Sequence, residues 1–145
     1  MAKRIMVEMD DWKPAERGDL LETDGVDACI AVALSNLQNG KGYMGHFSPD
    51  ATNVDEMLER AKREATHPGY VNLWYGGAAL VPPRTRDSGV LNAETRAFRI
   101  KMSRLLLSKG FRPRNTLWLR PGQWLTARLI AGTERCELVT ERGRY

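Results

Sequence analysis

Hydrophobic and polar positions alternate along much of this chain, and two longer stretches carry a helical period instead. Lys3–Met9 alternates and predicts a strand, followed by a turn around Trp12-Lys13-Pro14. Arg17–Thr23 predicts a second short strand. Cys29–Leu34 is apolar at every position, as a strand buried on both faces requires. Asn39-Gly40-Lys41-Gly42 is turn chemistry, so Tyr43–Phe47 should pair back on it as a hairpin. A helix should run from a cap at Thr52 or Asn53 to about Ala65, with Glu56 completing a capping box, and His67-Pro68-Gly69 should end it. Tyr70–Leu80 reads as another core strand, and the polar loop Pro82–Gly89 follows. Asn92 should cap a longer helix with Glu94 in its first turn, an apolar stripe of Phe98, Met102, Leu105 and Leu106, and Gly110 as its stop. Asn115–Leu119, Trp124–Ile130 and Arg135–Thr140 alternate like a β-meander.

Strands outnumber helices in this reading, and their order is not a regular β-α alternation. The expected fold is therefore α+β: a layered, β-sandwich-like mixed sheet core flanked by two principal helices. No repeat or long linker divides the 145 residues, so residues 1–145 are expected to form a single domain. A hydrophobic content of 42% and a charged content of 28% exclude wholesale disorder. No apolar run approaches the ~18 residues of a membrane helix, and the start turns acidic too soon for a signal peptide. Two cysteines, Cys29 and Cys136, are too few for a disulfide framework. The expected location is cytoplasmic, with an exported effector lacking a standard signal peptide as the alternative.

The net charge of +4 conceals an asymmetry: residues 1–83 hold 13 acidic against 8 basic residues, and residues 84–145 hold 5 against 14. A basic half can attract nucleic acid, an acidic protein or an anionic surface.

The chemistry concentrates at Cys29, where a Gly- and Asp-rich turn (Thr23-Asp24-Gly25-Val26-Asp27-Ala28) enters the apolar strand, and at His46 beyond the hairpin. If the two strands pair, thiol and imidazole lie near one end of the sheet, with Sγ expected within about 4 Å of a ring nitrogen. An imidazolium there would depress the thiol pKa below the ~8.5 of a free cysteine, while Asp27 would limit the shift. Backbone N–H groups at Asp27 and Ala28 could form an oxyanion hole.

Thr-x-Gly-x-x-x-Cys, an apolar strand, then Gly-x-Met-x-His-Phe resembles the CheD family of chemoreceptor glutamine deamidases, carried by Thr23, Gly25, Cys29, Gly42, Met44, His46, Phe47 and nearby Pro49. Leu73–Ala78 is similar to that family's Lys-x-Phe-Gly-Gly-Ala strand, Ser88–Asn92 to its Ile-Gly-x-x-Asn helix start, and Pro121–Arg128 to its Gly-Gly-x-x-Gly-Arg segment. The family's Gly-Ser before the cysteine is Asp27-Ala28 here, and only Gly122 of the later Gly-Gly remains.

The resemblance covers roughly residues 17–139 and implies a CheD-like domain that deamidates protein glutamine through a thioester, without cofactor or metal. It implies Cys29 as nucleophile, His46 as general acid and base, and Thr23 as the group that orients the imidazole. It also places the Pro82–Gly89 loop near the dyad, so Arg84 and Arg86 are expected to steer an acidic surface bearing the target glutamine. The implied partners are that protein substrate and a regulatory protein, with no membrane. Bacterial toxins of the cytotoxic necrotizing factor type have a similar Cys-His deamidase fold, so a toxin or effector fits as well as a chemotaxis enzyme.

Two other readings stand beside this one. An inactive relative could keep the fold for protein–protein contact. A basic nucleic-acid-binding module could use the arginines and tryptophans interleaved over Arg112–Trp124, unless Trp118 and Trp124 fill the core. Cys29, His46, His67 and Cys136 are the only soft ligands and lack finger-like spacing, so no metal is expected.

Overall fold

The computed structural model describes residues 2–143, which form nine strands and two helices in three layers. The strands are β1 (Arg4–Met6), β2 (Asp11–Ala15), β3 (Leu20–Val26), β4 (Ile30–Asn36), β5 (Gly42–Phe47), β6 (Val71–Gly77), β7 (Arg112–Trp118), β8 (Gln123–Ile130) and β9 (Cys136–Arg142); the helices are α1 (Val54–Glu64) and α2 (Ser88–Ser108). One sheet has the order β1-β3-β8-β9 and the other β2-β5-β4-β6-β7. The fold is α+β and layered.

The middle layer explains the uninterrupted apolar run. Ile30, Val32 and Leu34 of β4 join Met57, Leu58 and Ala61 of α1 and Met102 and Leu106 of α2 in one core. The alternate residues Cys29, Ala31 and Ala33 join Leu21, Leu125, Ala127 and Leu129 of the other sheet in a second core. β4 therefore buries both faces, and small residues on one of them let the two sheets approach closely. Helix α1 buries Val54, Met57, Leu58 and Ala61, one face at helical spacing.

Several expectations are corrected. Trp12-Lys13-Pro14 is not a turn but strand β2, paired antiparallel with β5 at the sheet edge, where a proline lacking its N–H is tolerated. The last three strands are not a meander. β7 pairs parallel to β6 at the opposite edge, reached through α2, and only β8 and β9 form a hairpin in the other sheet. Helix α2 starts at Ser88 rather than at Asn92. The Asn92 carboxamide instead clamps the Val81 backbone, accepting from its N–H (2.8 Å) and donating to its carbonyl (3.1 Å). Asn53 makes no side-chain cap on α1 and donates to the Asp10 carbonyl at 3.0 Å. Among the described residues no helix is long and apolar enough to cross a membrane.

Candidate active site

Strand polarity brings the site residues together. In β5 the even-numbered residues face the β1-β3-β8-β9 sheet, so His46 shares a face with Met44, and in the β4–β5 register it lies opposite Ala31. Cys29 is one residue short of β4 but on the same face as Ala31, which makes it the diagonal neighbour of His46. Both are largely buried, at 7% and 5% exposure, and both line one cavity of about 670 Å³ with Val7, Asp24 and Asp27.

The third residue comes from the opposite sheet. Thr23 of β3 is fully buried, and its Oγ1 lies 2.7 Å from the Val7 carbonyl and 2.8 Å from His46 Nδ1. A hydroxyl has one proton, and a carbonyl can only accept. The Thr23 proton therefore goes to Val7, and Nδ1–H of His46 must donate to Thr23. That assigns the tautomer and leaves Nε2 of the neutral ring with its lone pair uncommitted. Immediately after Thr23, β3 bulges over Asp24-Gly25 against β8, with Gly25 at φ 63°, and this turns the chain toward Cys29.

Asp10, which no sequence pattern singled out, also shapes the site. It holds φ at 60°, accepts from the Ser48 N–H (2.8 Å) and Ser48 Oγ (3.0 Å), and donates its own N–H to the His46 carbonyl. It thereby fixes the end of β5, and its carboxylate adds negative charge beside the dyad.

The electrostatics correct one expectation. The Cys29 thiol is not depressed: burial, then the Asp10 and Asp27 carboxylates, push it up to about 11. Burial also holds His46 below the ordinary imidazole value, against an opposing pull from Asp10. The resting pair at neutral pH is thus a neutral thiol beside a neutral imidazole. No hydrogen bond joins the two side chains among the described residues, because the ring's bond crosses the sandwich to Thr23. With this pair, a nucleophile would have to form by proton transfer to Nε2 during attack rather than from a preformed thiolate. Alkylation of Cys29 by iodoacetamide should accordingly be slow at pH 7 and rise about tenfold per pH unit from pH 8 to 10. Cys136, pushed up to about 12 by burial and then Glu137, should lag behind it. Labelling of Cys29 that saturates below pH 8 would establish an ion pair instead.

The N–H groups of Asp27, Ala28 and Cys29 donate to no carbonyl or side chain among the described residues, whereas the Asp27 and Cys29 carbonyls accept from Ala79 (2.8 Å) and Ala78 (2.7 Å). The turn is anchored through its acceptors and leaves its donors available, as oxyanion stabilisation needs.

Arg84 and Arg86 do not line the site, whereas Pro82 at the start of their loop bounds a neighbouring cleft. Both arginines are exposed, they line neither the thiol cavity nor its neighbour, and Arg86 lies 3.9 Å from Asp87. The neighbouring cleft, about 360 Å³, meets the thiol cavity at Asp27-Ala28 and is bounded by Leu80–Pro82, Glu94 and Trp124. Trp124 is half-buried on that wall with its indole N–H on Glu141 at 3.0 Å, so it does not fill the core. Trp118 packs edge-on against Tyr75, and the Arg99 guanidinium lies 5.3 Å from its ring centre. His67 is a local cap that accepts from the Gly69 N–H. Among the described residues no group of three His, Cys, Asp or Glu side chains could hold a metal ion. A scan against models of known protein families finds no match to this chain, and a search of curated proteins likewise finds none.

Proposed function

We propose that the protein is a cysteine-dependent amidohydrolase that deamidates glutamine side chains in proteins, as its resemblance to the CheD deamidases implies. The observation that carries this reading is the convergence of Cys29 and His46 on one cavity with His46 Nδ1 committed to Thr23. That commitment leaves Nε2 as the base.

In the first half-reaction Cys29 Sγ attacks the carboxamide carbon while Nε2 takes the thiol proton. The resulting oxyanion is met by the free N–H groups at Asp27–Cys29. The imidazolium returns the proton to the leaving nitrogen, ammonia departs and a thioester remains. Water then attacks the thioester and gives its proton to Nε2, which passes it back to sulfur as glutamate leaves. The balance is glutamine plus water to glutamate plus ammonia, and no cofactor is used. His46 is neutral at pH 7, the protonation state that a base requires.

The test is mass spectrometry of glutamine-containing peptides and proteins incubated with the protein, coupled to an ammonia assay. A gain of about one mass unit at glutamine with one ammonia released is expected. Loss of peptide-bond integrity, or no change at any glutamine, would refute the activity. The raised thiol favours one second reading, a domain kept for protein–protein contact without chemistry. That reading predicts no mass change and indifference to the loss of Cys29.

A further inference from the structure

Resting on that deamidase reading, we propose that the substrate presents its glutamine between basic side chains, with Asp27 and Glu94 as the residues that read them. Asp27 and Ala28 line both the thiol cavity and the neighbouring cleft, so the two adjoin as a two-part depression beside Cys29. Glu8, Asp24, Asp27 and Glu94 stand on its walls, and no lysine or arginine lines either part.

All four carboxylates are exposed, and none is in an ion pair among the described residues. By contrast Glu22, buried in the same sheet as Asp24, is paired with Arg4 and Arg128, both at 2.8 Å. Glu22 is thus held between two guanidinium groups, whereas Glu8, Asp27 and Glu94 face the depression without an ion pair, and Asp24 accepts from the Gly25 N–H (2.6 Å) and Thr126 Oγ1 (3.0 Å) within reach of the Arg128 charge. An acidic segment entering here would meet like charge at both ends, whereas a cation meets Asp27 beside the thiol and Glu94 at the far end. Trp124 lines the same cleft as Glu94 and offers an aromatic face to a lysine or arginine stem. This polarity is opposite to the one expected from the basic C-terminal half, because the dyad sits on walls contributed largely by the acidic N-terminal half.

A cation beside Asp27 has a chemical consequence as well. It screens one of the two carboxylates that oppose ionisation of Cys29, so the correct substrate would assist its own attack.

The experiment compares two peptides, acetyl-Gly-Lys-Gln-Lys-Gly-amide and its counterpart with glutamate in place of both lysines. Deamidation by the intact chain is followed by mass, and binding to the Cys29→Ser variant by calorimetry. Two partly exposed ion pairs predict about a tenfold preference for the lysine peptide in kcat/KM at low salt, shrinking as salt rises. The preference should collapse in the Asp27→Asn/Glu94→Gln double variant. Equal rates, or a faster glutamate peptide, would overturn the polarity and leave the deamidase reading intact. Preferential binding of the lysine peptide with no deamidation would overturn the deamidase reading while the polarity stands. No binding and no deamidation of either peptide would overturn both.

Discussion

Cys29→Ser should lower the deamidation rate at least about 10,000-fold, because the serine hydroxyl is a far poorer nucleophile for a neutral imidazole to activate. Serine is close to cysteine in size, and Cys29 sits at the margin of the inter-sheet core, so thermal unfolding should stay near that of the parent chain. A variant that loses activity and stability together would not distinguish chemistry from folding, and the alkylation profile of Cys136 provides the check that the fold persists. The same logic separates His46 from Thr23. His46→Ala removes the base itself. Thr23→Val keeps the base but removes the acceptor of Nδ1–H, and it leaves the Val7 carbonyl unpaired as well. Its expected loss is about 100-fold, accompanied by a shifted acid limb of the pH–rate profile, because the ring is then free to change tautomer. Thr23→Ser retains the hydroxyl and should recover most of the rate. If Thr23→Val deamidates as fast as the parent chain, the assignment of Nε2 as the base is wrong.

What the sequence made legible was whatever its local chemistry determined. The Cys29–Leu34 run has the pattern and length of a strand buried on both sides, and the Asn39–Gly42 turn signals a hairpin with Tyr43–Phe47, a pairing that the structure contains and that sets Cys29 diagonal to His46. The misreadings came where local signals serve distant partners. Asn92 is a good cap residue, yet its carboxamide is spent on Val81 eleven residues earlier, and α2 starts without it. Pro14 and Pro113 speak against strands locally, but both lie in edge strands, where the sheet needs nothing from the missing N–H. Asp10 contacts Ser48, thirty-eight positions on, and no periodicity reveals such a pair. The polarity of the site was legible in principle. Cys29 and His46 lie within the half that carries 13 acidic against 8 basic residues, and that half supplies the Glu8, Asp24 and Asp27 carboxylates on the thiol cavity's walls.

Gly77→Ala should be the most damaging small substitution near the site, with a cost of roughly 3–5 kcal/mol from backbone strain and overpacking together. Gly77 ends β6 at φ 125°, a conformation that residues with a side chain rarely adopt. A Cβ there would lie 2.3 Å from the Cys29 carbonyl oxygen and 2.8 Å from Val26 Cγ1. The first of these atoms is backbone and cannot swing aside. It is also the acceptor of the Ala78 N–H at 2.7 Å, so displacement would break the bond that anchors the cysteine turn. Arg99 reinforces the same corner by donating to the Ala78 carbonyl (3.0 and 2.7 Å) and the Leu119 carbonyl (2.8 Å), which leaves little room to relax. Gly18 supplies the control: its φ is 89°, but nothing lies within 4 Å of the added Cβ. Gly18→Ala therefore carries the conformational cost alone, about 1 kcal/mol, and should leave Cys29 alkylation unchanged. For Gly77→Ala we expect a fall in Tm of about 10–20 °C, together with a changed alkylation rate at Cys29 as its carbonyl is pushed away. Equal Tm values for the two variants would mean that the β6 end does not press on the Cys29 backbone, and the rigid anchoring of the cysteine turn would have to be abandoned.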